Sequence, residues 1–253
     1  MMKILTAAVL AVVIAIGAGQ AVAAETEKPP KYDWSFSGVF GRFDRPAMQR
    51  GLQVYREVCS ACHGLKYVAF RNLEALGYGK DEIKAMAAEY SIVDGPNDEG
   101  DMFDRPRRPS DYFPAPFPNA KAAAAANGGA VPPDLSLMAK ARPHGPDYIR
   151  ALLLGYEDPP AGFDAMEGSN YNPYFPGRQT AMPPPLFEDA VEYTDGTKAS
   201  TEQMATDVTN FLMWTAEPYL EERHSMGVKV ILFLLVFTGI LYAAKRKVWS
   251  DLH

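Results

Sequence analysis

Cysteine is nearly absent: the 253 residues hold two, Cys59 and Cys62. Two thiols cannot build the usual four-ligand zinc site, which draws on two such pairs. Histidine is almost as scarce, at His63, His144, His224 and His253. Basic residues are outnumbered, 25 Lys and Arg against 31 Asp and Glu, for a net charge of −6. Residues 1–24 contribute one positive charge and 229–253 three, so 25–228 stands at −10. A chain this acidic in its middle lacks the basic patches that nucleic-acid binding needs. It suits a basic protein partner or a solvated acidic face kept for solubility, and both readings stay open. Long apolar runs occur only near the two ends. Proline, by contrast, is plentiful at 21 residues, which predicts stiff, irregular connections around a modest helical core.

The two cysteines stand in Cys59-Ser60-Ala61-Cys62-His63. Cys-x-x-Cys-His reads as an attachment site for c-type haem. Each thiol can add to one haem vinyl group, and two intervening residues set both sulfurs along one porphyrin edge. His63 follows at once and can bind iron from one face. A redox dithiol is the competing reading. That motif wants a strand before it and a helix after it, whereas Arg50–Val58 has a helical pattern with Leu52 and Tyr55 on one side.

Residues 1–24 combine a lone Lys3, an apolar run and a small-residue end, the pattern of a secretory signal peptide cut after Ala23 or Ala24; an uncleaved anchor is the alternative. Export suits a haem attached outside the cytoplasm. The aromatic stretch Trp34–Asp44 can wrap the haem edge or staple the N-terminus to the core, and composition favours the staple. Beyond His63, residues 64–73 are apolar enough to line a haem pocket, and Ile83, Met86, Ala87 and Tyr90 fall at helical spacing.

Residues 94–119 read as a loop of 26 residues with six prolines, a length that is usually functional or disordered. Its acidic head, 94–101, does not match the calcium-loop spacing. A short Ala-rich helix ends at Asn127-Gly128-Gly129, and a cleaner one starts with Pro146 and stops at Gly155, with Ile149, Leu152, Leu153 and Tyr156 as its buried stripe. Residues 162–185 are irregular again. Residues 192–197 read as a short strand with an Asp195-Gly196 turn. Ser200 and Gln203 form a capping box for a helix that buries Met204, Val208, Phe211, Leu212 and Thr215 and packs against the helix before Cys59. Met204 and Met213 are therefore packing residues first.

Residues 228–244 are apolar apart from Lys229. The uninterrupted part is short against the roughly 20 residues that span a bilayer, but Met226 and Gly227 extend it and Lys229 can snorkel. Trp249 is an interfacial anchor, and Lys245-Arg246-Lys247 directly beyond the apolar run keeps that end cytoplasmic. The expected organisation is a signal peptide (1–24), a periplasmic haem domain (25–225), a transmembrane helix (226–244) and a cytoplasmic tail (245–253).

The face of the haem opposite His63 needs a second ligand or must stay open. Nine methionines beyond the leader and His144, His224 and His253 compete. Met182 is favoured, because it lies outside any helical stripe and Pro183–Pro185 hold its backbone extended, so little ordering entropy is lost on ligation. His144 and an open site remain alternatives. A Met/His pair fills both axial positions and favours electron transfer.

At this point the chain resembles the cytochrome c1 family. The resemblance rests on Trp34-Ser35-Phe36, Arg50–Tyr55, Cys59–His63, Asp94–Asn97, Ser110–Pro114, Pro132–Ser136, Asn172–Gly177, Ala181-Met182, Ala216-Glu217-Pro218 and the final anchor with Lys245-Arg246. It implies a mainly α, cytochrome-c-like haem domain with long proline-rich insertions and one C-terminal transmembrane helix. It implies one covalent haem c on Cys59 and Cys62, with His63 and Met182 as axial ligands and Arg142, Tyr148 and Asn127 around the haem propionates. A guanidinium suits a partly buried carboxylate, although spacing alone leaves Arg142 on the surface. Some bacterial relatives carry a further cysteine pair near the sixth ligand. This chain has none, so packing, prolines and hydrogen bonds must hold its Met182 loop.

The family further implies an electron carrier in the membrane, not an enzyme on its own. It would work beside cytochrome b, accept electrons from a Rieske iron–sulfur protein and pass them to a soluble cytochrome c. A stand-alone membrane cytochrome and a haem enzyme with an open axial site are the other two classes.

Overall fold

A computed structural model describes residues 26–250. The leader, residues 1–24, and His253 lie outside the described residues. Seven helices follow in order: α1 (Arg45–Glu57), α2 (Lys80–Ala88), α3 (Ala120–Ala126), α4 (Met138–Ala141), α5 (Pro146–Leu154), α6 (Thr201–Ala216) and α7 (Leu220–Val248). 3-10 segments cover Cys59–Ala61, Phe70–Leu76 and Pro176–Arg178. The described residues also hold two small antiparallel pairs, β1 (Ser91–Asp94) with β2 (Phe103–Pro106) and β3 (Asn170–Tyr171) with β4 (Gln179–Thr180). The mainly helical class matches the sequence reading.

The centre of the fold is the crossing of α1 and α6. α1 starts where the Asp44 carboxylate accepts from Ala47 N–H, with Pro46 in the first turn, a position where a missing N–H costs nothing. Met48, Leu52, Val54 and Tyr55 are buried on it, each aliphatic side chain contributing about 1.5–3 kcal/mol. Gly51 marks the contact: an added Cβ would overlap the Asp207 carbonyl oxygen on α6. Next to it Arg50 holds the wholly buried Asp207 carboxylate through Nε at 2.8 Å and Nη2 at 3.1 Å, and reaches Asp195 with Nη1 at 2.9 Å. A buried carboxylate without such a partner would be strongly destabilising.

α6 is buried on more sides than its stripe predicts, because α4 and α5 also pack on it. Only half of the expected capping box forms. Ser200 Oγ accepts from Gln203 N–H, while the Gln203 amide turns to Asp207 instead of closing the box. Met204 and Met213 pack in or against the core, as expected. The aromatic lead-in acts as a staple: Trp34 Nε1 donates to Asp147 at 2.7 Å and its ring stacks on Phe36.

Three expectations need correction. The 94–119 segment is not one loop, since β1 and β2 pair from Ser91↔Pro106 to Asp94↔Phe103. Arg105 makes this possible by clamping both Asp94 and Asp111. Residues 111–113 then run along 68–70, with Phe70 N–H on Asp111 O and Phe113 N–H on Val68 O. Secondly, residues 192–197 form no strand. The Asp195-Gly196 turn is present, but Gln53 on α1 takes the Glu192 carbonyl, so no strand partner is needed. Thirdly, the irregular 162–185 stretch contains the β3–β4 pair.

α7 runs unbroken for 29 residues. Among the described residues it is the one helix long and apolar enough to cross a membrane, and its apolar stretch is unburied by the rest of the chain. Its foot is rooted in the domain: Leu220 is buried, and Glu217, just before the helix, pairs with Lys140 and Arg223.

Candidate functional site

The cysteine motif starts two residues after α1 ends. Cys59–Ala61 forms a 3-10 turn in which Cys62 N–H and His63 N–H both donate to Cys59 O, at 3.1 and 2.9 Å. A single tight turn therefore sets the spacing of both sulfurs. Cys59 and Cys62 are free of any disulfide and half-buried. Burial, with the second thiol beside it, pushes the Cys59 thiol up to about 12. The motif follows a helix rather than the strand that a redox dithiol wants, which counts against the redox-dithiol reading. Among the described residues no three His, Cys, Asp or Glu side chains converge on a common point.

His63 is held by a segment 70 residues away. Its Nδ1 lies 2.7 Å from Pro133 O. A carbonyl oxygen only accepts, so Nδ1 carries the proton and Nε2 keeps its lone pair, the tautomer that a metal needs. Burial lowers the His63 pKa, against the opposing pull of Pro133 and Asp134, which keeps the ring neutral near pH 7. The backbone is clamped as well. Tyr55 on α1 donates its hydroxyl to His63 O at 3.0 Å, and Leu135 N–H bonds Gly64 O. Asp134 accepts from Lys66 N–H and Ser136 N–H, and the buried Ser136 hydroxyl accepts from Tyr67 N–H. The Pro133–Ser136 stretch thus forms a latch across residues 63–67.

Met182 is half-buried, two residues after β4, and its N–H donates to the buried Thr180 Oγ1 at 3.2 Å. The hairpin that presents it is tied down by Asn172, whose side chain is fully enclosed. Asn172 Nδ2 donates to Leu152 O on α5 at 2.8 Å, and Oδ1 accepts from Tyr174 N–H.

Arg142 and Tyr148 come together: the guanidinium lies beside the tyrosine hydroxyl, and Tyr148, at the start of α5, is buried enough to raise its pKa. Asn127 does not join them through its amide nitrogen, which donates to Ala123 O and closes α3. His144 is exposed, in a left-handed turn at φ 66°. His224 sits in the second turn of α7 with a buried, unpartnered Nδ1.

The donor set fits a covalently held haem. Two sulfurs sit on one turn, a neutral imidazole offers Nε2, and an arginine–tyrosine pair suits carboxylates. The buried Tyr156 hydroxyl has no partner among the described residues and neighbours Tyr148, so it too can donate to an acidic group. Its place on an apolar stripe hid this capacity in the sequence. The latch residues Asp134 and Ser136 and the tie Asn172 were likewise invisible to periodicity. Short-range turn chemistry, with Pro-Pro-Asp and Asn-Pro sequences, was their one local signal.

A family profile described as the cytochrome C1 family matches residues 34–252. The chain belongs to the cytochrome c1 family. Cytochrome c1 from Rhodospirillum rubrum is 53% identical over 237 residues, covering 87% of this chain and 87% of the relative. The mitochondrial cytochrome c1 1, heme protein, of Arabidopsis thaliana is 51% identical over 88% of this chain and 73% of its own. Cytochrome b/c1 from Bradyrhizobium diazoefficiens is 52% identical over 90% of this chain, which spans 36% of that longer protein. Members of the cytochrome c1 family are electron-transport proteins that carry one covalently bound haem c.

Proposed function

We propose that this chain is the haem-bearing electron-transfer subunit of a quinol–cytochrome c oxidoreductase, the cytochrome bc1 complex. It takes electrons from a Rieske iron–sulfur protein and passes them to soluble cytochrome c, with cytochrome b and membrane lipid as its neighbours. What supports the subunit reading most directly is the Bradyrhizobium relative, named for a cytochrome b and a cytochrome c1 together.

The haem, when bound, supplies reversible one-electron chemistry at its iron. Cys59 and Cys62 hold it through thioether bonds. His63 presents Nε2 on one face, oriented by Pro133 O, and Met182 supplies a thioether on the other. Arg142, Tyr148 and Asn127 receive the propionates. With His63 and Met182 both given to the haem, the chain would carry electrons and act as no enzyme by itself. The complex supplies the reductase activity.

Residues 1–24 direct export and are removed. The haem domain then lies in the periplasm, residues 226–244 cross the bacterial inner membrane, and Lys245-Arg246-Lys247 keep the tail cytoplasmic. The charge of −10 over residues 25–228 steers a basic acceptor, with a rate that falls as salt rises.

The test is purification through a tag on this chain in mild detergent, followed by a reduced-minus-oxidised spectrum. The expected result is b-type haem travelling with the c-type band. A c-type band alone, under conditions that keep membrane complexes intact, overturns the subunit reading in favour of a stand-alone membrane cytochrome serving a terminal oxidase or reductase. Replacing Met182 with Leu tests the ligand assignment. It should abolish the sulfur-to-iron charge-transfer band and open the haem to carbon monoxide; an unchanged spectrum removes Met182 as ligand.

A further inference from the structure

The tight turn Gly38-Val39-Phe40-Gly41 carries an unusual cargo. Turn tips favour Gly, Asn, Asp, Ser and Pro, yet the two central residues here are Val39 and Phe40, 61% and 84% exposed. The turn is rigid. Gly41 N–H bonds Gly38 O at 3.2 Å, Arg42 N–H bonds Ser35 O at 2.9 Å, and Gly38 sits at φ 76°. An added Cβ on Gly41 would overlap the Phe36 carbonyl, so the backbone doubles back as closely as it can. The fold gains no burial from an apolar tip at this place.

Its position supplies a reason. Phe43 N–H donates to Glu221 Oε1 at 2.8 Å, and Arg45 lies 3.6 Å from the same carboxylate. Glu221 is the second residue of α7, so the turn is fastened to the foot of the apolar helix. At 1.5 Å per residue, Glu221 is about 7–8 Å along the axis from Met226, where the apolar stretch begins. The polar interface of a bilayer is roughly 5–8 Å deep on each side of its hydrocarbon core. Phe40 is three residues from Phe43, a reach of about 10 Å at most. The tip therefore lies within range of the headgroup layer. Tyr219, which caps α7 and is 68% exposed, adds an aromatic ring of the type enriched at that depth, and the exposed Arg42 flanks the tip with positive charge.

We propose that the Gly38–Gly41 turn is a second membrane contact, seating Val39 and Phe40 in the lipid interface beside α7. One helix alone leaves the domain free to tilt and rotate about its axis. A second contact fixes which face of the domain looks at the bilayer. The inference rests on the reading that α7 spans the membrane.

The test places a nitroxide at Phe40→Cys in the full-length, haem-loaded chain within its complex, in native-lipid nanodiscs. Cys59 and Cys62 are held in thioethers and do not take the label. Ile240→Cys reports the membrane helix. Phe187→Cys is the aqueous reference, because Phe187 adjoins Glu188, which binds the first residue of α6, and α6 spans about 24 Å before α7 begins. The expected result is a ratio of oxygen to nickel-chelate accessibility at Phe40 severalfold above that at Phe187. A ratio equal to that at Phe187, with Ile240 lipid-exposed, overturns the second contact and leaves the anchor standing. A Phe40 label that is immobilised and shielded from both reagents assigns the turn to a protein neighbour and also overturns it. An Ile240 label with an aqueous ratio removes the anchor reading and this inference together.

Discussion

The two flanks of the candidate site are built differently. On the His63 side, the ring, its backbone carbonyl and the four residues that follow are tied to α1 and to the Pro133–Ser136 latch by five hydrogen bonds. On the Met182 side, the nearest tie is a single 3.2 Å bond to Thr180, and the hairpin behind it is bound to α5 through one buried asparagine. Redundant ties share the load, so losing one shifts little, whereas a lone buried tie carries the full cost of its loss. Chemistry gives this asymmetry a use. On the proposed ligation, covalent attachment would fix the cysteine edge, so His63 could be clamped rigidly, while a thioether from Met182 would be a weak ligand whose retention depends on the loop that presents it.

The largest expected effect undermines both flanks together. Arg50→Met leaves Asp207 buried and unpaired at the α1–α6 crossing, with a loss of roughly 3–5 kcal/mol. Calorimetry should show a much lower Tm, and Arg50→Met with Asp207→Leu should recover part of it. A single variant that melts like the parent would show that the pair does not support the crossing.

Next comes Asn172→Ala, which strands Leu152 O and Tyr174 N–H at a cost of about 1–3 kcal/mol. Carbon monoxide should bind the reduced haem faster, and the reduction potential should fall as Met182 loosens. Asp134→Ala is expected to cost less, roughly 1 kcal/mol, because the other latch bonds remain. Its carbon monoxide rate should stay near that of the parent. Equal opening in the two variants would erase the asymmetry between the flanks.

The smallest effect concerns the hairpin away from the site. Arg105 pulls the Asp111 carboxyl down to about 2 and lowers that of Asp94. Both groups are depressed in the folded state, so their support is complete above the ordinary carboxylate value of about 3.9. It is lost as pH falls from there toward about 2. Hydrogen exchange over residues 91–113 should show protection at pH 5 that declines by pH 3, while α1 and α6 remain protected. Simultaneous loss in all three would mean that the Arg105 clamp is not a separate unit.

Local features were legible in advance. The haem motif needs only five consecutive residues, and α5 and α6 announce themselves through Pro146, Gly155, Ser200 and a 3.6-residue period. The apolar helix is a matter of composition. The β1–β2 pair was missed because its strands are short and lean on Arg105, whose two carboxylate partners no periodicity reveals. The strand expected at 192–197 failed for the opposite reason: its carbonyl found a side chain on α1.

By itself the sequence determined that this chain carries two thiols and an imidazole at the spacing of a covalent haem site, that its helices start and stop where they do, and that one segment is apolar enough for a membrane. These depend on neighbours within a turn or two, where chain geometry leaves few choices. Only the tertiary structure decided which nitrogen of His63 is free, what binds the Met182 hairpin to α5, that Asp207 is paired, and that an apolar turn sits at the foot of α7. Each of those rests on a partner 20 to 178 residues away. Which long-range partners meet is settled by packing of the whole core, and local pattern does not encode it.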